Sequence, residues 1–406
     1  MKAYERLLKY VKFDTRSSDD SGEHPSTKSQ FILANALADE LQALGCTDVR
    51  LSDTCYVYAT VPASAGLEDL PALGFIAHMD TSPDFSGTDV NPVIHENYDG
   101  EDVVLGDSGR VLSVKTFPHL KRLKGRTLIT TDGTTLLGAD DKAGISEIMT
   151  LVELLSGKPH CTVKVAFTPD EEIGEGADHF DVAGFGADFA YTVDGGEEGS
   201  LEYENFNAAG AEFTVNGVNV HPGSAKDVMV NASLVAMEIN TCLPENDIPA
   251  RTEGYEGFFH LTDMSGSVER ATLSYIVRDH DSESFAKRCA MLREIEKKMK
   301  EKYGDDAVSL SLREQYRNMK EMVYPAHAHL IENAKAAARS QGVEPVVEAI
   351  RGGTDGARLS FMGLPCPNLG TAGYAFHGPF EHITVEGMDK QVSILLEIVS
   401  IYSKNR

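Results

Sequence analysis

The feature that most constrains the fold is an alternation of short apolar runs with an amphipathic segment. PALGFIAHMD (71–80), CTVKVAFT (161–168) and FAYTVDGG (189–196) are strand-like, and each ends in polar or glycine-rich residues. Between the first two, KAGISEIMTLVELLSG (142–157) has apolar residues at helical spacing and ends at a glycine. Strands that alternate with helices predict an α/β domain whose functional residues gather at the carboxyl ends of the strands.

A different pattern begins near residue 208. It reads, in order, as strand, helix, two strands, a long charged helix and a final strand: AGAEFTVNG (209–217), VMVNASLVAMEINTCL (228–243), GFFHLTDM (257–264), VERATLSYIVRD (268–279), SESFAKRCAMLREIEKKMKEKYG (282–304) and AVSLSLREQY (307–316). The order βαββαβ is that of a ferredoxin-like unit. We therefore predict an α+β lid or dimerisation domain, residues 208–318, inserted into an α/β domain made of residues 1–207 and 319–406.

The charge of the chain argues against two classes of partner. The net charge is −26, with 63 acidic and 37 basic residues, so no positive surplus is present to bind nucleic acid or an anionic membrane.

The N-terminus lacks the apolar core of a signal peptide, and no run approaches the roughly 18 apolar residues of a membrane span. The six cysteines are scattered without a C-x-x-C pair, which predicts reduced thiols in a cytoplasmic protein and no thiolate metal site.

Acidic residues and histidines follow the predicted strands of the α/β domain. Each has an ordinary explanation when taken alone, because acids cap helices or lie on surfaces and histidines occur in loops. Together, two imidazoles and several carboxylates without a thiolate suit Zn²⁺, Co²⁺ or Mn²⁺. Crowding such acids without cations would cost several kcal/mol. The candidates are His78, Asp80, Asp140, Asp141, Glu171, Glu172, Asp194 and His377.

Five short motifs resemble those of the M20 dinuclear zinc peptidases, and the resemblance runs essentially from end to end. They are HMD (78–80), GADDKAG (138–144), PDEEIG (169–174), VDGG (193–196) and FHG (376–378). Within that family the chain most resembles the tripeptide aminopeptidase branch. The segments that carry this closer resemblance are VHPGSAKDVMVNA (220–232), YIVRDHD (275–281) and IRGGTDGARLS (350–360).

The resemblance implies a site with two zinc ions. His78 and Asp194 would bind one ion, Glu172 and His377 would bind the other, and Asp140 would bridge them. His382 lies five residues after His377 and is an alternative ligand, although the GYAFHG frame favours His377.

The resemblance also implies catalytic roles for three further residues. Glu171 would take a proton from the attacking water and return it to the leaving amine. Asp80 would orient the His78 ring through its second nitrogen. His221, in relatives often supplied by the partner subunit, would stabilise the oxyanion; without the resemblance, a surface histidine before Pro222 is the simpler interpretation. Asp141 is interpreted as structural.

Three residues of the inserted domain and its surroundings are candidates for substrate binding. Arg278 resembles the position that binds a substrate carboxylate, and Asn231 and Arg351 are further candidates. The resulting prediction is a dizinc aminopeptidase that removes the N-terminal residue from tripeptides, with a possible homodimer. The alternatives are another M20 hydrolase (a dipeptidase, a carboxypeptidase or an N-acyl amino acid deacylase) or an inactive binding protein on the same fold.

Overall fold

The computed structural model describes residues 1–404. The carboxyl ends of three neighbouring strands meet at one edge of its largest sheet. The strands, in chain order, are β1 (Thr47–Leu51), β2 (Val57–Val61), β3 (Leu73–His78), β4 (Val93–His95), β5 (Val103–Leu105), β6 (Arg110–Leu112), β7 (Leu128–Thr130), β8 (Val163–Thr168), β9 (Phe189–Val193), β10 (Ser200–Glu202), β11 (Asn207–Asn216), β12 (Phe258–Gly266), β13 (Arg270–Asp279), β14 (Val308–Tyr316), β15 (Val346–Val347), β16 (Asn368–Leu369), β17 (Gly373–Tyr374) and β18 (His382–Thr384). The helices are α1 (Ala3–Tyr10), α2 (Gln30–Ala43), α3 (Ala139–Leu155), α4 (Val182–Phe185), α5 (Ala232–Thr241), α6 (Ser282–Tyr303), α7 (Lys320–Val323), α8 (Ala328–Ser340), α9 (Asp355–Phe361) and α10 (Val385–Lys404).

The chain divides into two compact units. The first unit comprises residues 1–203, 321–348 and the chain from Thr354 onward, and the second comprises 204–320 and 349–353. The second unit therefore includes a stretch of five residues that the sequence analysis assigned to the α/β domain.

An eight-stranded sheet organises the first unit, in the order β1-β2-β8-β3-β9-β16-β10-β15. Its centre is parallel, because β3 pairs with β8 on one side and with β9 on the other. Every residue of β3 is buried, as expected for a parallel strand covered on both faces. The predicted α/β class is confirmed, and parallel pairing brings the ends of β3, β8 and β9 to one edge.

A smaller sheet of the first unit joins distant parts of the chain, in the order β17-β18-β7-β4. Strand β18 pairs with β7, so that Ile383 lies opposite Ile129. Both residues belong to an apolar cluster with α1, α3 and α10, to which Leu7, Ala143 and Met388 contribute. This packing brings the C-terminal segment next to the start of α3.

The second unit is a four-stranded antiparallel sheet with two helices. The strand order β12-β13-β11-β14 and the element order βαββαβ are those of a ferredoxin-like unit. Buried and half-buried residues alternate along β13, because one face of the sheet carries the core. In that core Phe213 and Leu273 of the sheet lie with Ile239 of α5 and Leu292 of α6.

No helix within residues 1–404 has both the length and the apolar character that crossing a membrane requires.

Candidate metal centre

His78, the last residue of β3, has a polar partner at each ring nitrogen. Its Nε2 lies 3.0 Å from Oδ1 of Asp140 and 3.5 Å from Oδ1 of Asp194. Its Nδ1 lies 3.3 Å from Oδ1 of Asp80. The side chain is only 2% exposed. The ring is thus held by Asp80 on one side and presents Nε2 to two carboxylates on the other.

Asp140 lies between the two histidines. Its Oδ1 faces His78, and its Oδ2 lies 3.2 Å from Nε2 of His377. Asp140 is at the start of α3, after Gly138 in the left-handed region at φ 78°, and its own backbone is not helical. This irregular first turn directs the carboxylate to the histidines, so that each oxygen faces a different imidazole.

Glu171 and Glu172 occupy a short 3-10 turn directly after β8. The carboxylate of Asp80 accepts both of their backbone N–H groups, at 3.0 Å from Glu171 and 3.2 Å from Glu172. Oε2 of Glu172 lies 2.9 Å from Nε2 of His377. Asp80 therefore contacts the His78 ring and also fixes the turn that bears both glutamates.

Asp194 and Asp141 complete the acidic cluster. Asp194 follows β9, and its backbone N–H donates to the carbonyl of Leu369. Asp141 is fully buried, and its carboxylate accepts the backbone N–H groups of His78 and Gly144, each at 3.1 Å. Asp141 thus supports the end of β3 and the first turn of α3.

The electrostatics of the cluster favour a bound cation. Burial, followed by the charge of Asp194, raises the pKa of Glu171 well above its usual value. Burial and then Asp140 raise the pKa of Glu172 to about 7, and burial raises that of Asp194. Neighbouring acids that resist ionisation become stable carboxylates when divalent cations lie among them.

The histidines respond in the opposite direction. Hydrogen bonds to Asp140 and Glu172 raise the pKa of His377 to about 11. Burial alone would lower the pKa of His78, but Asp194 and Asp140 raise it well above the usual value. In the protein alone, the imidazoles therefore supply the positive charge that the carboxylates need.

The donor set fits divalent metal ions. Ligand atoms of His78, Asp140 and Glu172 lie within 4.8 Å of one another, and so do those of His78, Glu171 and Asp194. Oε1 of Glu172 is buried and finds no hydrogen-bond partner among residues 1–404, so this oxygen is available to a cation. Imidazole nitrogens and carboxylate oxygens are the ligands expected for Zn²⁺, Co²⁺ or Mn²⁺.

His382 lies apart from this arrangement. Its Nε2 is 2.9 Å from Nε2 of His119 and its Nδ1 is 2.7 Å from the carbonyl oxygen of Phe380. Burial lowers the pKa of His382 to about 4. Both ring nitrogens are engaged outside the acidic cluster, whereas His377 lies within it.

Two acids that the sequence analysis did not single out lie beside the cluster. Glu381 is buried and accepts backbone N–H groups from the segment that carries Asp140. Asp355 is buried at the start of α9, accepts a hydrogen bond from Oγ1 of Thr168, and contributes to the raised pKa of Glu171. Glu381 lies in the triplet EHI and Asp355 in the triplet TDG. Neither triplet belongs to a sequence pattern that predicts these roles.

The four remaining predicted residues belong to the second unit. His221 is exposed, and its Nδ1 accepts the backbone N–H of Gly223. Asn231 caps α5 through its Oδ1, which accepts the N–H groups of Ser233 and Leu234. These contacts occupy one polar atom of each side chain and leave the other for further interactions.

Arg278 and Arg351 both contact backbone oxygens within the second unit. Arg278 donates to the carbonyl of Val277 at 3.0 Å and lies over the ring of Tyr316. Arg351 donates to the carbonyls of Gly254 and Glu256. Arg351 therefore holds the loop before β12, a structural role that the sequence analysis did not predict.

Comparison with known proteins decides the family. The family model described as Peptidase family M20/M25/M40 matches residues 132–400. The chain belongs to peptidase family M20/M25/M40. Among members of this family it is 55% identical over 403 residues to the peptidase T of Clostridium novyi, covering 98% of each chain. It is 54% identical over 406 residues to the peptidase T of Clostridium perfringens, covering 99% of each. The resemblance to M20 peptidases and to their tripeptidase branch is confirmed.

Solved structures agree on the M20 fold. The aminopeptidase PepT of Bacillus cereus matches with a TM-score of 0.79 at 22% identity, covering 99% of this chain and 98% of the other. A dinuclear metal-binding M20 peptidase of Bacillus subtilis matches with a TM-score of 0.67 at 15% identity, covering 98% of each chain. At these identities the likeness concerns the fold alone.

Proposed function

We propose that this M20 family member is a metal-dependent aminopeptidase that removes the N-terminal residue from tripeptides. This proposal is supported by sequence identities of 54% to 55%, over almost the whole chain, to proteins named peptidase T. The fold also matches that of a solved PepT aminopeptidase. The single observation that carries the chemistry is the position of Asp140, whose two carboxylate oxygens face His78 and His377 at 3.0 and 3.2 Å.

The metal proposal is two divalent ions, with Zn²⁺ as the first candidate and Co²⁺ or Mn²⁺ as substitutes. The ligands would be His78 and Asp194 for one ion, Glu172 and His377 for the other, and Asp140 for both. When bound, such a pair of ions polarises a carbonyl and increases the acidity of water. The chain itself supplies the imidazoles, the carboxylates and the buried, unpartnered Oε1 of Glu172.

Glu171 is proposed as the group that moves protons. Its neighbour Glu172 faces His377, whereas Glu171 is outside the proposed ligand set and lies in the same short turn. As a carboxylate in the metal-loaded site, Glu171 would take up the proton from the attacking water. The same carboxyl then delivers this proton to the leaving amine. Asp80 keeps the turn and the His78 ring in position throughout.

Substrate recognition is assigned to residues of the second unit, residues 204–320 and 349–353, as a proposal from the family resemblance. His221 would donate a hydrogen bond to the developing oxyanion. Arg278 would bind the C-terminal carboxylate, with Asn231 and Arg351 as further contacts. The guanidinium group of Arg278 would thereby limit the length of the substrate, because the C-terminal carboxylate of a longer peptide would lie at a different distance from the cleaved bond.

Assembly and location are also proposals. The resemblance supports a homodimer in which residues 208–318 act as a lid or dimerisation domain, and sedimentation of the purified protein would test this. A cytoplasmic location is supported by the six cysteines, which are all free thiols.

The experiment that tests the function is a panel of substrates of different lengths. The purified, metal-loaded protein is assayed on dipeptides, tripeptides and tetrapeptides of one composition, and on an N-acylated amino acid. We expect kcat/KM to be highest for tripeptides, with release of the N-terminal residue. Equal turnover of tetrapeptides would contradict the length limit. Preference for the acylated amino acid would assign the chain to the deacylases, and no turnover would favour an inactive binding protein.

A further inference from the structure

Glu381 joins the two segments that carry Asp140 and His377. Its Oε2 accepts the backbone N–H groups of Leu137 at 2.7 Å and Gly138 at 2.8 Å. Its Oε1 accepts the backbone N–H of Asp140 itself at 2.9 Å. The side chain is buried, with 1% exposure. One carboxylate thus receives three N–H groups from a single turn.

The turn that Glu381 holds is not regular helix. Gly138 is in the left-handed region, and Asp140 has φ −86° and ψ 104°. These N–H groups cannot find helical partners, because the first N–H groups of a helix have no intrahelical acceptor. Glu381 replaces those acceptors, so that the backbone of Asp140 is fixed at the point where its carboxylate faces both histidines.

Glu381 also lies four residues after His377 and directly before β18. Its own backbone N–H donates to the carbonyl of Gly378, which closes the loop between His377 and β18. The hydrogen bonds of its side chain therefore tie the His377 loop to the Asp140 turn. The 3.2 Å distance between Nε2 of His377 and Oδ2 of Asp140 spans the same two segments.

We propose that Glu381 is a positioning residue for the metal centre: it sets the Asp140 carboxylate relative to His377 by accepting three N–H groups of the Asp140 turn. This inference rests on the proposed metal-dependent function, because the effect of Glu381 reaches substrate only through Asp140 and His377. Residues that orient metal ligands typically change metal affinity or activity by about 10–100-fold when they are replaced.

The test is Glu381→Gln in the full-length protein, since glutamine keeps the size of the side chain but has one acceptor oxygen where glutamate has two. Its amide NH₂ would face a backbone N–H group. The matched control is Glu386→Gln, because Glu386 also accepts a backbone N–H with both oxygens, that of Thr127 at 3.0 and 2.9 Å. Thr127 lies just before β7 and outside the ligand set.

Three measurements separate a positioning role from a general loss of stability. Zn²⁺ affinity is measured by competition with a chelator in the absence of peptide, and the visible absorption of the Co²⁺-loaded protein reports ligand geometry. Steady-state kinetics on a tripeptide at saturating metal separates kcat from KM. For Glu381→Gln we expect about 10–100-fold weaker Zn²⁺ binding, an altered Co²⁺ spectrum and lower kcat at similar KM. Glu386→Gln should retain the wild-type values.

Wild-type Zn²⁺ affinity and an unchanged Co²⁺ spectrum in Glu381→Gln would overturn the proposal, and so would equal losses in both variants. If Glu381→Gln does not fold, Glu381→Asp, which keeps both oxygens on a shorter side chain, takes its place with the same expectations. Because Zn²⁺ affinity is measured without substrate, a wild-type protein that binds Zn²⁺ but does not cleave tripeptides would refute the proposed function and leave this inference intact.

Discussion

Oδ1 of Asp80 accepts the backbone N–H of Glu171 at 3.0 Å, while the same atom lies 3.3 Å from Nδ1 of His78. One buried carboxylate therefore connects the end of β3 with the turn after β8. A change at Asp80 should affect both the orientation of His78, a proposed metal ligand, and the position of Glu171, the proposed proton carrier.

The first prediction concerns Asp80→Asn. The amide can accept only one of the N–H groups of Glu171 and Glu172, so we expect kcat to fall by about 10–100-fold together with metal affinity. Steady-state kinetics and metal content measure the two effects. Asp99→Asn is the control, because Asp99 accepts the N–H of Glu101 in an exposed loop. If kcat fell while metal content was retained, the idea that Asp80 orients His78 for metal binding would be contradicted.

The second prediction compares adjacent glutamates of one turn. Glu171→Gln should lower kcat by about 10²–10⁴-fold while metal content is retained, because only proton transfer is removed. Glu172→Gln should lose metal, since Glu172 faces His377 and has a second buried oxygen without a partner in residues 1–404. Metal analysis together with kinetics distinguishes the two variants. Loss of metal from Glu171→Gln, with metal retained in Glu172→Gln, would show that Glu171 is the metal ligand and Glu172 the proton carrier.

The third prediction is that removing metal destabilises the protein more at high pH. Without cations, Glu172 has a pKa of about 7 and His377 one of about 11, both above their usual values. A raised pKa, of an acid or of a histidine, gives stability at low pH that is lost as pH rises. The difference in Tm between the metal-loaded and the chelator-treated protein should widen from pH 6 to pH 8. A constant difference would contradict the prediction.

The fourth prediction concerns Glu147, which is fully buried in α3. Neither carboxyl oxygen has a hydrogen-bond partner within residues 1–404, and burial raises its pKa well above the usual value. Because burial raises this pKa, we predict that folded Glu147 retains its proton, so that its contribution to the free energy of unfolding falls with rising pH by up to about 1.4 kcal/mol per pH unit. The Glu147→Gln variant has no ionisable group at this position. Its free energy of unfolding in urea, relative to that of the wild type, should therefore increase from pH 6 to pH 8. Parallel pH curves would show that Glu147 is ionised.

The fifth prediction separates the two possible roles of Asn231. Asn231→Asp keeps the Oδ1 that caps α5 but removes the amide donor. Tm should stay close to the wild-type value, whereas KM for a tripeptide should rise if the amide contacts substrate. Asn231→Ala should lower stability by about 1 kcal/mol through loss of the cap. An unchanged KM in Asn231→Asp would leave only the capping role.

The secondary structure of the second unit could be predicted because its signals are local. The alternation along β13 and the apolar stripe of α6 follow from neighbouring residues, and the βαββαβ order followed from them. The inclusion of 349–353 in this unit could not be predicted, because contacts such as those of Arg351 with the carbonyls of Gly254 and Glu256 join segments far apart in the sequence. Such contacts between distant segments leave no periodic pattern.

The members of the acidic cluster could be predicted, but their supports could not. His78 and Asp194 follow strand-like runs, and strand ends of a parallel sheet converge. The role of Glu381 depends on the N–H groups of Leu137, Gly138 and Asp140, which any residue type would provide. The sequence does not show where a backbone N–H group will need an acceptor. Glu381 therefore cannot be distinguished, from the sequence alone, from any other glutamate in a loop.

The order of the proposed ligands along the chain has a consequence during synthesis. His78, Asp140 and Asp194 leave the ribosome before the whole of 204–320 is made, and His377 follows only after it. At about 5–20 residues per second, translation from Asp194 to His377 takes roughly 10–40 s. For that time the nascent polypeptide contains His78, Asp140 and Asp194 but lacks His377. With the proposed ligand set, the metal centre is complete only after His377 has been made.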